Sequence, residues 1–147
     1  MARINTENVV NKKSYIFENQ ADKESSILSA VKAEANNRRL DVQIDVEQMK
    51  SGGMFTGTKE EVITITRGKF SPIYIITRPE GTYLYVSIVT MAATLSLAEL
   101  VAEASKTKVD DIFKAEAFSA YWNACIATLE TAFDNLDLKS YEPLKGI

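Results

Sequence analysis

The 147-residue sequence contains no histidine and a single cysteine. The first absence removes every Ser-His-Asp or Cys-His arrangement of nucleophilic catalysis. It also removes the side chain best suited to acid–base work near neutral pH. The second absence excludes an intramolecular disulfide, and one cysteine cannot supply a zinc ligand set. A lone thiol, Cys125, fits a reducing compartment. No apolar stretch is long enough to span a bilayer. Residues 1–19 hold no apolar run of signal-peptide length. The expectation is a soluble, cytoplasmic protein. The net charge is −3, from 17 basic and 20 acidic residues, and no block is basic enough to hold a polyanion by counterion release. Neither nucleic acid nor a membrane is expected as a partner.

What is present is globular. Hydrophobic residues make up 46% and charged residues 25%, which is enough apolar surface to offset the entropy of ordering. A chain of this length suits one domain. The expected organisation is an N-terminal arm or extra strand over 1–20, a single α+β domain over 21–138, and an irregular tail over 139–147.

Periodicity sets the elements. Ile27, Leu28, Val31 and Ala35 recur at helical spacing and predict a helix over 22–39, with Asp22 or Ser25 as its cap. Leu40, Val42, Ile44 and Val46 alternate with Asp41, Gln43, Asp45 and Glu47, which predicts a strand with one wet face. Residues 51–58 are a glycine-rich connection. Three more strands follow over 62–67, 73–78 and 83–90, separated by turn signals at 67–69 and 78–81. Two capping boxes, at 96–99 and 107–110, open two further helices. The fold class is therefore α+β: a four-stranded antiparallel meander preceded by one helix and followed by two, with the helices packed on the sheet. Val42, Ile44, Val46, Leu84, Val86 and Ile88 are expected on the core face, with Asp41, Asp45 and Glu47 exposed.

Candidate chemistry is sparse. Residues 52–59 have phosphate-loop glycine spacing, but lysine and threonine are in the wrong order and strands flank both sides, so a hairpin loop is the better reading. Asp41 and Asp45 share a strand face but stand about 13 Å apart, too far for one ion. No metal or cofactor is expected. Glu60-Glu61 and Asp110-Asp111 point apart on their elements and read as surface charge. Tyr74, Tyr83 and Tyr85 lack the context of a base-stacking RNA motif. Cys125 sits mid-helix among apolar neighbours and reads as core.

The informative feature is an apolar surplus. Phe118, Tyr121, Cys125, Leu129, Ala132 and Leu136 already make one helical stripe, and Trp122, Ile126 and Phe133 widen it beyond what one sheet face requires. If the 78–81 turn is a three-residue loop with a bulge, Ile73 and Ile75 share a second sheet face with Tyr83 and Tyr85. A two-residue turn reassigns these pairs. The expected interaction surface is Ile73, Ile75, Tyr83, Tyr85, Trp122, Ile126 and Phe133. The expected function is a non-enzymatic interaction module that binds a second copy of itself, another protein, or both. The alternative is a binding protein for a small apolar ligand in a helix–sheet cleft. An enzyme ranks behind both. The short run Tyr15-Ile16-Phe17 offers a cover for the exposed face within one chain.

Overall fold

The computed structural model describes residues 9–51, 58–91, 108–138 and 142–144. Among them the chain forms β1 (Val9–Phe17), a 3₁₀ turn (Ala21–Ser26) that runs into α1 (Ile27–Asn37), then β2 (Gln43–Ser51), β3 (Thr58–Thr66), β4 (Ile73–Glu80) and β5 (Tyr83–Met91). The long helix α2 (Lys108–Asn135) and the short β6 (Glu142–Leu144) follow. The result is α+β with one antiparallel sheet, in the order β2-β3-β4-β5-β1-β6.

The meander β2 to β5 follows the periodicity. The count of four strands does not hold, because a further long strand, β1, precedes the first helix and pairs along β5. Its alternation is masked in sequence by Lys12 and Ser14 on one face and Lys13 on the other. Lys13 can occupy an inward position because its ammonium reaches Glu130 at 2.8 Å, keeping its charge partnered while its stem lies along the sheet. Within the tail expected to be irregular, Glu142–Leu144 pair with Ser14, Tyr15 and Ile16. The helix expected from the 96–99 capping box, the 107–110 box as a cap, and the glycine-rich loop at 52–57 lie outside the described residues.

The core lies between one sheet face and the helices. Tyr15 and Phe17 of β1, Ile73 and Ile75 of β4, and Leu84, Val86 and Ile88 of β5 are all at most 1% exposed. They meet Tyr121, Cys125, Leu129, Ala132 and Phe133 of α2, which are equally buried, and Ile27 and Val31 of α1. Edge-on contacts of Phe133 with Tyr15 and Phe17, at centroid distances of 5.0 and 4.8 Å, add to the burial. Met49, Val62, Tyr74 and Val89 form a second buried cluster, on the opposite face by strand alternation.

Local signals explain the boundaries. No side-chain cap starts α1; it continues from the 3₁₀ turn, and neither Asp22 nor Ser25 is its N-cap residue, which is Ser26. Its end is a Schellman motif. Arg39 adopts φ +54°, Leu40 N–H donates to Ala35 and Arg39 N–H to Asn36, the paired bonds that satisfy last-turn carbonyls. Leu40 thus belongs to the helix end, and β2 starts three residues later than the alternation suggests. Asp137 repeats the motif after α2, at φ +56°. Gly81 and Thr82 alone link β4 to β5, since Glu80 pairs with Tyr83. Gly81 has φ +60°, as a primed two-residue hairpin requires at its first central position.

That two-residue turn corrects the sheet faces. Tyr74 pairs with Val89 and Ile76 with Ser87. Ile73 and Ile75 therefore point into the helix-covered core, while Tyr83 and Tyr85 point the other way. Val42 and Ile44 pack partly buried on the core, and Asp41, Asp45 and Glu47 are exposed as expected. Val46 departs from expectation at 43% exposure. It lies beside an opening in the sheet described below.

Candidate interaction surfaces

The residues singled out from sequence separate into two groups. Ile73, Ile75 and Phe133 are 0–1% exposed and Ile126 is 9% exposed, so these four are core of the single chain. The partners that absorb the helix surplus are Tyr15 and Phe17 of β1, from the short run expected as the alternative cover within one chain. Trp122 is half-buried against the same core. Tyr83 is 42% exposed, and Tyr85 is half-buried.

Tyr83 and Tyr85 lie on the outer face of β5, where Ile16, 36% exposed, stands directly across from Tyr85 on β1. Below this small patch the face becomes polar and closed. The Ser14 and Ser87 hydroxyls share a hydrogen bond at 2.9 Å, and the Tyr85 hydroxyl donates to Ser14 at 3.0 Å. Burial disfavours the Tyr85 phenolate, but hydrogen bonding with Ser14 and Ser87, together with the charge and hydrogen bond of Lys12, outweighs it and lowers its pKa below the ordinary tyrosine value.

The second surface is the beginning of α2. From Tyr121 onward the helix is held by the core. Tyr121 donates to the Ile65 carbonyl at 3.3 Å, stacks on Phe70 and carries the Arg67 guanidinium 4.7 Å above its ring. Burial in this setting, with Cys125 adding to it, raises the Tyr121 pKa although Arg67 opposes the shift. Before Phe118 the described residues are more open to solvent. Residues 112–117 are all exposed, Ile112 at 60% and Phe113 at 69%. Phe113, Ala117, Ala120 and Ala124 fall on one face at helical spacing. Over 112–124 the only charged residues are Lys114 and Glu116.

Burial pushes the Cys125 thiol up to about 12 against the opposing pull of Arg67, so it carries almost no thiolate near neutral pH. Among the described residues no three His, Cys, Asp or Glu side chains are grouped to hold a metal ion. No described helix is long and apolar enough to cross a membrane. The contact between α2 and the sheet is filled by side chains, Leu129, Ala132 and Phe133 being 0% exposed. An opening of about 660 Å³ lies elsewhere, between the 3₁₀ turn and the β3–β4 junction. Comparison with protein-family models, curated proteins and solved structures finds no match to this chain.

Proposed function

We propose that the chain is a non-enzymatic protein-interaction module that self-associates through the exposed first half of α2. The observation that carries this reading is the exposure of Ile112 and Phe113, at 60% and 69%, at the head of a stretch, 112–124, whose charged residues are Lys114 and Glu116. An isolated helical extension is marginal in water, and helices gain most of their stability by packing an apolar face. Ala117 and Ala120 beside Phe113 leave room for a second helix to approach closely. A self-complementary patch of this kind suits a two-fold pairing, in which both copies offer the same surface. The Ile16, Tyr83 and Tyr85 patch extends the apolar area available to a partner. A single buried thiol supports a cytoplasmic setting.

Sedimentation equilibrium of the full chain at micromolar concentration tests the proposal. The expected result is a dimer that dissociates in the double variant Ile112→Asp/Phe113→Asp, with the helical circular dichroism signal retained. A parent chain that stays monomeric at tens of micromolar overturns it.

A further inference from the structure

β3 and β4 are neighbours in the sheet, yet they pair only at Ile63–Ile75, Thr64–Tyr74 and Ile65–Ile73. On their other sides β3 is paired along its whole length with β2, and β4 along its whole length with β5. The ladder between β3 and β4 therefore opens beyond Ile63 and Ile75. Extending the register sets Glu61 opposite Thr77 and Glu60 opposite Arg78. There the Arg78 side chain reaches across, its Nη2 donating to Glu60 Oε1 at 2.5 Å.

Pro79 shows which backbone groups face the opening. It pairs with Leu84 in the β4–β5 ladder. Having no N–H, it holds that place with its nitrogen turned away from β5, toward β3. Backbone groups alternate sides along a strand, so Thr77 also turns its N–H and C=O to the opening. By the same alternation Ile63 and Glu61 face it from β3. Beyond the three paired positions the β3–β4 ladder is not continued.

The opening widens into the 660 Å³ cleft on the helix side. Its lining includes apolar Leu28, Val46 and Ile63 and the acidic residues Glu24, Glu60 and Glu61. Arg78 engages Glu60, whereas Glu24 and Glu61 form no ion pair among the described residues.

We infer that this cleft docks an extended basic segment of another protein, which adds as a short strand to the free edge of β3. Unpaired strand edges are templates for such addition, with main-chain bonds giving affinity and alternate side chains giving specificity. The matching segment carries an apolar residue and a lysine or arginine two positions apart, so that both face the cleft. The apolar residue meets Leu28 and Val46, and the cation meets Glu61 and Glu24. A second copy of this chain is the poorer occupant, because its net charge of −3 opposes the acidic lining. This site is separate from the α2 surface and does not rest on self-association.

The test uses the full chain and a fluorescent, end-capped peptide in which valine and lysine take turns along one strand face, two positions apart, with threonine at every intervening position, read by anisotropy. Saturable binding is expected, with none for the glutamate–valine counterpart. Glu24→Lys/Glu61→Lys weakens it about tenfold or more, as the loss of two exposed ion pairs implies. Glu61→Gln gives a smaller loss in the same direction and disturbs the fold least. N-methylation of the peptide's bonding amides abolishes binding. Hydrogen exchange at the Glu61 and Thr77 amides is fast in the free chain and slows on binding. Equal binding by the N-methylated peptide, binding unchanged in the charge variants, or amides already protected in the free chain overturns the inference. The last result means that the chain itself or a second copy fills the cleft.

Discussion

The Tyr15 hydroxyl donates to Glu130 at 2.5 Å across 115 residues of sequence, and Lys13 reaches the same carboxylate oxygen at 2.8 Å. Two neighbouring inward positions of β1 are thereby fastened to one turn of α2. Burial disfavours the Glu130 carboxylate, but the Lys13 and Tyr15 hydrogen bonds prevail and hold its pKa below the usual range. A depressed carboxyl contributes stability that is present above its unfolded pKa and is lost as pH falls through the folded value. Tyr15→Phe is expected to lower stability by about 1 kcal/mol at pH 7. The difference from the parent should shrink in acid, once Glu130 is protonated. Urea unfolding of both chains at neutral and acidic pH measures this, and a pH-independent difference rejects the linkage.

Arg39 occupies the left-handed region at φ +54° only because it closes the Schellman turn of α1. A side chain there is strained, and glycine is not. Arg39→Gly is expected to raise stability by about 0.5–1 kcal/mol, seen as a higher urea midpoint with unchanged slope. A fall in the midpoint means the arginine side chain contributes more than its backbone strain removes.

Cys125 is 1% exposed with its thiol pushed up to about 12. Labelling by a thiol reagent under native conditions is therefore expected to require opening of the α2–sheet core. The labelling rate should rise with urea in parallel with unfolding. Rapid labelling in the absence of denaturant places the thiol outside the core.

Much of the meander was legible because alternation and turn chemistry agree there. Leu84, Val86 and Ile88 stand where period two puts them, and Gly68 and Gly81 take positive φ at the two turn signals. The interaction surface was less legible, for two physical reasons. The face on which Ile73 and Ile75 lie depends on whether the hairpin loop has two residues or three, and one residue of slip exchanges the faces. The burial of Phe133 depends on Tyr15 and Phe17, whose strand carries Lys12, Lys13 and Ser14 and so lacks a clean pattern. Sequence also hid the opening between β3 and β4, since strand length alone does not reveal where a ladder stops. The exposed Ile112 and Phe113 were visible as residues but belonged to no expected stripe.

The placement of β1 has a kinetic consequence. β4 and β5 meet across a two-residue turn, a local closure that is fast. β1 must instead find β5 across a long intervening chain, as the contact between Ser14 and Ser87, 73 residues apart, illustrates. Closing so large a loop carries entropy that early, local contacts do not offset. The meander is thus the natural folding nucleus, and β1 locks last. Phe17→Ala should mainly accelerate unfolding, whereas Ile88→Val should mainly slow folding. Stopped-flow rates across a urea series separate the two, and equal effects on folding place β1 in the nucleus. An N-terminal strand that joins last is also the one that two copies could exchange, so the same ordering exposes this chain to strand swapping while it folds at high concentration.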